Sequence, residues 1–180
     1  MITAEGFRLG VGIVLVNHQE QVFWAKRVGQ NAWQFPQGGL QNKEFAEQAL
    51  WRELKEEIGL EKYQVRLLGK TKNWLYYKIP DKLQREREGE RMCVGQKQIW
   101  YLLKLKAPDT AINLLSQDYK PEFDDWAWVS YWYPLHQVVS FKRELYRRAL
   151  TQLRTFLNPN PFVQPYATYN INISHLDYFI

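Results

Sequence analysis

One cysteine, Cys93, is all the thiol chemistry in the sequence. A single thiol excludes an intramolecular disulfide and a cysteine-built zinc site, and it fits a reducing cytoplasm. Cys93 itself reads as a small apolar residue. Histidine is almost as scarce, and His18, His136 and His175 show no metal-ligand spacing. The apolar run at residues 11–16 is far too short to span a bilayer, and residues 1–8 lack a signal-peptide pattern, so no membrane is expected. There is no Gly-x-Ser-x-Gly nucleophile elbow. Gly69, Lys70 and Thr71 end like a phosphate-binding loop, but Gln64 stands where the first glycine belongs and the tripeptide lies between strands. No internal repeat and no second domain are visible.

What is present is an ordinary globular mixture. The 180 residues are 46% hydrophobic and 24% charged, which suits one domain with a sizeable core. Aromatic residues are abundant, enough to fill a core and leave some for stacking on flat ligands. The net charge of +5 leans toward an anionic partner, although a solvated basic surface would give the same number. Residues 8–17 and 22–28 read as a hairpin, with a loop from 29 to 36. Strands are expected at 64–70, 74–79, 98–105 and 126–132. Residues 80–91 alternate in charge sign and read as a solvated loop. A last helix, 141–156, is expected to be capped by Ser140 and to bury Leu145, Ala149, Leu153 and Phe156. The tail, 158–180, has no helical period and is expected to be extended or disordered beyond a domain at 1–157. Strands, a helix, more strands and a terminal helix make an α+β protein, a mixed β-sheet packed between helices.

Residues 38–60 carry the chemistry. Gly38 and Gly39 read as a turn needing glycine's backbone freedom. Asn42 is the expected N-cap of the helix that follows, with Glu44 in its first turn. Ala46, Leu50, Leu54 and Ile58 form an apolar stripe, and Gly59 is the expected stop. Beside the stripe, Glu53, Glu56 and Glu57 share one face at i, i+3 and i+4. On many helices such a face is merely solvated and paired with neighbours such as Arg52 or Lys55. Three carboxylates this close repel one another unless a cation lies among them, and a hard cation such as Mg²⁺ takes carboxylate oxygens together with substrate phosphates.

Gly38, Glu44, Arg52, Glu53, Leu54, Glu56, Glu57, Gly59 and Leu60 fill every fixed place of a long pattern: glycine, five residues, glutamate, seven residues, arginine–glutamate, an apolar residue, one residue, glutamate–glutamate, one residue, glycine, an apolar residue. The stretch resembles the Nudix box of the Nudix hydrolases. Arg8 and the segments 33–39, 95–98, 121–126, 128–134 and 138–143 further resemble the bacterial RNA pyrophosphohydrolase branch, which is close to the diadenosine polyphosphate hydrolases. The likeness covers about the first 155 residues.

The resemblance implies an α/β/α sandwich, the Nudix fold. It implies metal-dependent removal of pyrophosphate from the 5′-triphosphate of RNA with an unpaired end, promoting mRNA decay. Mg²⁺, Mn²⁺ or another divalent cation would be held by Glu53, Glu56 and Glu57, oriented by Arg52. Gly38 and Glu44 position loop and helix, with the Gly38 carbonyl as a further candidate ligand. Glu122 is the candidate carboxylate from outside the box, ahead of Asp124 and Asp125, and the general base is left between Glu53 and Glu122. Arg8, Arg27 and Lys142 are the candidates for phosphate, and Phe141, with Val139, Ser140 and Tyr77, for a nucleobase. Two other functions remain open at this point: hydrolysis of dinucleoside polyphosphates such as diadenosine tetraphosphate, and non-catalytic RNA or nucleotide binding. No protein partner is legible.

Overall fold

The computed structural model describes residues 2–84, 93–115 and 119–157. The expectations for the tail at 158–180 and for most of the charged loop therefore lie outside the described residues. In chain order the strands are β1 (Phe7–Val16), β2 (Val22–Arg27), β3 (Trp33–Gln34), β4 (Gln37–Gly39), β5 (Val65–Lys70), β6 (Leu75–Lys78), β7 (Gly95–Leu105) and β8 (Phe123–Val129). Helix α1 (Ala46–Ile58) follows β4, and α2 (Pro134–Gln137) and α3 (Ser140–Arg154) follow β8. No helix among the described residues is long and apolar enough to cross a membrane.

The eight strands form one mixed sheet. Its centre is the parallel pair β1 and β7, in register from Phe7 opposite Gly95 to Val16 opposite Lys104. β1 is buried on both faces, which is why it reads as an unbroken Val- and Ile-rich run rather than an alternating one. β5 and β6 pair antiparallel with β7, and β8 pairs antiparallel with β2. The turn joining β1 to β2 is closed by the Asn17 side chain, whose Oδ1 accepts from the amides of Gln19 and Gln21.

The two arms of that hairpin pair only at Val16 and Val22 and then part. Residues 33–39 fill the wedge between them: β3 pairs with β2, and β4 pairs with β1 through Gly10, Val11 and Gly12. Phe35, between the two short strands, is fully buried edge-on to Trp24 and Trp100. This aromatic anchor fixes the wedge.

The core divides between the two faces. Val11, Ile13 and Leu15 of β1 face Ala49, Leu50, Leu54 and Ile58 of α1. Val14, Val16, Trp24 and Trp100 lie on the other face, against Leu145, Tyr146, Ala149, Leu150 and Leu153 of α3. The sheet between helices is the expected architecture.

Several boundaries differ from the sequence expectation. Asn42 is not the cap of α1. The N-cap position falls on Phe45, because Glu44 stays outside the helix, taking the Gln41 amide at 2.8 Å and the Arg52 guanidinium. Ser140 lies inside α3 and the extended residue before it is Val139, so Ser140 supplies no side-chain cap. Phe156 lies beyond the end of α3 and is partly exposed, whereas Tyr146 and Leu150 complete its buried face. β8 starts at Phe123, three residues earlier than the expected Trp126, and pairs with β2 across a bulge at Lys26 and Arg27. Gly59 does end α1 as expected, in the left-handed region at φ 74° with its amide on the Lys55 carbonyl.

Candidate active site

Helix α1 turns its core stripe toward the sheet and lays Glu53 and Glu57 along the seam with β4. Both are buried, at 7% and 8% exposure. The Glu57 carboxylate accepts the Gln37 amide at 2.9 Å. Gly38 packs so closely that a Cβ there would land on the Glu53 carboxylate. The next carbonyl, that of Gly39, accepts from Arg52 Nη2 at 2.9 Å. Gly38 and Gly39 are thus strand residues. Neither has a positive φ, and the expected turn lies further on, at Asn42 and Lys43, with Lys43 at φ 60°. Glycine is needed at 38 for close approach, not for backbone freedom. Gly10 of β1 answers the same need from below, since a Cβ on it would strike the Gly38 carbonyl. Gly38→Ala is expected to displace Glu53 and cost about 10²-fold in kcat, on the scale of losing the orientation of a metal ligand. Steady-state kinetics beside a melting curve would check this, and near-normal kcat would contradict the steric account.

Arg52 organises the carboxylates. Its Nε and Nη2 form a fork on Glu44 at 2.8 and 2.9 Å, and its Nη1 donates to Glu53 at 2.7 Å and to Glu56 at 3.0 Å. With the Gly39 carbonyl, the guanidinium spends its donors on one compact cluster. Arg52 holds the Glu44 carboxyl below its ordinary range and is itself held more firmly protonated, chiefly by Glu44. Burial pushes the Glu53 carboxyl up, with Arg52 opposing it. Glu57 is pushed well above its ordinary value by burial and then by the Glu53 charge, and the Gln37 amide offsets only part of this. Glu56 stays at the rim, half-buried and held by Arg52.

Glu53 and Glu57 border a cavity of about 430 Å³, which Arg8, Arg27, Glu122 and Lys142 line with them. Arg8 lies over Gly39, where a Cβ would come within 2.5 Å of its Nε, and its guanidinium has no hydrogen-bond or ion-pair partner among the described residues. Arg27 and Glu122 both reach the cavity but are joined to each other: Nε donates to the Glu122 Oε1 at 3.0 Å, and Nη2 lies 2.9 Å from the same oxygen. The β-bulge and the Val28 amide on the Glu122 carbonyl bring them together. The rival carboxylates are occupied elsewhere, Asp124 with Lys26 and the Gly29 amide, and Asp125 with the Trp126 amide.

Lys142 enters from the first turn of α3, with its Nζ 5.4 Å from the Tyr77 ring centre. Burial, and next the Arg27 charge, pull its ammonium down to about 8, and Glu122 opposes the shift. Lys142 is therefore charged below about pH 8 and loses its charge as the pH rises through that value. If it holds phosphate, kcat/KM falls above about pH 8, and Lys142→Arg moves that fall to higher pH. An unmoved alkaline limb in the arginine variant would remove Lys142 from the phosphate site.

Phe141, Val139, Ser140 and Tyr77 lie outside the cavity lining. Val139 is exposed beside it in sequence, and Phe141 tilts over Tyr77 with centroids 5.7 Å apart. Tyr77, expected as an aromatic contact, is buried under Phe141 and Lys142, so its ring packs beneath the rim. The sequence reading also missed cavity residues. Gln34, Gln37 and Gln96 line it, and none carried a role. Their signal was the strand alternation that puts Gln96 and Gln98 on the same face as Trp100.

A divalent cation fits this donor set. Among the described residues no three His, Cys, Asp or Glu side chains converge to hold a metal unaided. Glu53 and Glu57 are nevertheless buried oxygen donors, each made costly by burial and Glu57 further by the Glu53 charge, lining an open polar cavity. A small hard cation is typically bound by one or two carboxylates, with waters and substrate phosphates completing its shell.

The family model of the NUDIX domain matches residues 6–152. The chain belongs to the Nudix family. Members of the family generally use divalent metal ions. Among curated proteins this Nudix chain is 55% identical over 159 residues to the RNA pyrophosphohydrolase of Pseudoalteromonas translucida (strain TAC 125), covering 88% of this chain and 91% of that protein. It is 57% identical over 154 residues to the RNA pyrophosphohydrolase of Teredinibacter turnerae (strain ATCC 39867 / T7901), covering 85% and 88%. Among solved structures, the E. coli dihydroneopterin triphosphate pyrophosphohydrolase superposes with a TM-score of 0.61 at 19% identity, covering 79% of this chain and 95% of that one. A C. elegans Ap4A hydrolase complex gives 0.55, also at 19%, covering 83% and 97%. These two likenesses concern the Nudix fold alone.

Proposed function

We propose that the chain is an RNA pyrophosphohydrolase that converts the 5′-triphosphate end of RNA to a 5′-monophosphate with release of pyrophosphate. The observation that carries this reading is one cavity lined both by the buried carboxylates Glu53 and Glu57 and by Arg8, Arg27 and Lys142. The substrate class is that named for the relatives described above. An unpaired 5′ end brings a dense negative charge that the basic side chains would hold through phosphate oxygens.

Glu53 and Glu57 would hold the cation, with Glu56 of the same helix and Glu122 of the cavity lining joining them. Bound Mg²⁺ or Mn²⁺ supplies charge neutralisation and a more acidic water. Arg52 keeps Glu53 and Glu56 in place through Nη1. Water breaks the anhydride bond between the first and second phosphates, and a carboxylate, Glu53 or Glu122, takes its proton. For Glu122 to act in this way, and for Arg27 to meet phosphate, their mutual ion pair must open. Exposed Val139 and half-buried Phe141 would offer apolar surface to the first bases. The reaction would take place in the cytoplasm and prepare RNA for decay.

The test is a paired assay with Mg²⁺ on triphosphorylated RNA and on diadenosine tetraphosphate. A higher kcat/KM on RNA, with pyrophosphate released, is expected. Preference for the dinucleotide would reassign the substrate, and binding without hydrolysis of either would remove the enzymatic reading.

A further inference from the structure

A row of four glutamine side chains crosses the floor of the cavity, and its hydrogen bonds all run one way. Gln98, on β7, is 1% exposed. Its Nε2 donates to Gln96 Oε1 at 3.0 Å and to Gln37 Oε1 at 3.4 Å. Gln37 Nε2 in turn donates to Gln34 Oε1 at 3.5 Å. The carbonyl oxygens of Gln34, Gln37 and Gln96 are thus all turned into the row. The NH₂ groups left over, on Gln34 and Gln96, belong to residues that line the cavity.

The direction has a physical cause. Each amide can turn over, but a flip of Gln98 would set oxygen against oxygen unless Gln96, Gln37 and Gln34 flipped with it. In the observed sense the row leaves one buried atom without a partner, Gln98 Oε1. In the reversed sense the unpartnered group would be the Gln98 NH₂, with two buried N–H donors. An under-satisfied carbonyl is the more tolerable of the two.

Resting on the proposed polyphosphate chemistry of this site, we infer that Gln96 and Gln34 are binding residues donating N–H to polyphosphate oxygens, and that Gln98 is the positioning residue that turns them outward. The row complements Arg8 and Lys142: the charged groups attract the anion, and the neutral amides fix oxygen positions without adding charge. Gln96 lies opposite Arg8 in β1 and Tyr77 in β6, so its amide falls in the strand row that carries the exposed guanidinium.

The experiment measures the affinity of inorganic tripolyphosphate in EDTA by calorimetry, together with kcat and KM on triphosphorylated RNA in Mg²⁺. The proteins are wild type, Gln96→Met, Gln98→Met and the double variant, each with a melting curve. Each single change is expected to weaken tripolyphosphate binding roughly tenfold, the scale of a hydrogen bond to a charged group, and to raise KM more than it lowers kcat. The double variant should lose less than the sum of the two single losses, because Gln98 acts in part through Gln96. Unchanged affinity in a folded Gln96→Met, or full additivity of the two changes, would overturn the inference, as would failure of wild type to bind tripolyphosphate. Should Gln98→Met fail to fold, Gln96→Met decides alone. Weakened binding in a protein that does not hydrolyse RNA would uphold the donor row and refute the proposed function. Unchanged binding with normal RNA turnover would do the reverse.

Discussion

Glu57→Gln is expected to reduce turnover by roughly 10³-fold or more while raising the melting temperature of the metal-free protein. The rate loss follows from removing a buried cation ligand, since several kcal/mol of transition-state charge stabilisation depend on the metal and each 1.4 kcal/mol is about tenfold. The stability gain follows from the direction of the Glu57 shift. Burial raises its carboxyl well above the ordinary value, so the folded state binds the proton more tightly than the unfolded chain does. Such a group contributes stability that is fully present below the unfolded value near 4.5 and is lost as the pH rises through the folded one. Above that unfolded value the metal-free protein therefore bears a cost at Glu57, whether it holds the proton or the charge. Glutamine removes the charge and keeps an oxygen for the Gln37 amide. The rise should be about 2–4 °C for each kcal/mol relieved in a domain of this size. Melting curves in EDTA and in Mg²⁺ check this. Mg²⁺ should raise the wild-type midpoint and leave the variant nearly unmoved. A variant less stable than wild type in EDTA would contradict the reading of Glu57. Glu53→Gln should share the loss of turnover with a smaller gain, because Arg52 offsets part of the burial cost of the Glu53 charge.

Arg52→Ala should be the most destabilising single change in the site. The side chain fastens Glu44, Glu53, Glu56 and the Gly39 carbonyl at once. Its loss leaves three carboxylates facing one another and one carbonyl unpaired. Breaking such a partly buried cluster on one side costs about 3–5 kcal/mol. It should also weaken apparent Mg²⁺ affinity by roughly 10–100-fold, the usual scale for groups that orient metal ligands. Denaturant unfolding and a Mg²⁺ titration of activity are the measurements. Adding Glu44→Gln to Arg52→Ala should recover part of the stability by removing the best-paired of the stranded carboxylates. Strict additivity of the two losses would show that Arg52 does not work through Glu44.

What the sequence made legible was whatever had to lie on one element. The carboxylates of α1 show themselves because a helix turns fixed spacing into a shared face. The sandwich was legible because β1 is apolar throughout and the helices carry single stripes. The wedge was not, because β3 and β4 are too short to have a period and owe their strand character to Phe35 buried between them. The caps failed for a related reason. Asn42 looks like a helix start, but the Glu44–Arg52 fork competes for that turn. Arg27 and Glu122, expected at phosphate and at metal, both line the cavity, yet nothing in either neighbourhood announced their ion pair, which depends on a bulge between strands far apart in the chain. The glutamine row was hidden in the same way, since its members come from the wedge and from β7.

The parallel pairing of β1 with β7 also bears on when the protein becomes active during its synthesis. Helix α1 is complete by Ile58, but Gln96 belongs to β7 and Glu122 and Lys142 follow it. Pairing Phe7 with Gly95 closes a long stretch of chain, the kind of non-local contact that forms slowly. A nascent chain that has emitted only the box holds Glu53 and Glu57 without the rest of the cavity lining. On the proposed roles, catalytic competence waits for the late strands and α3.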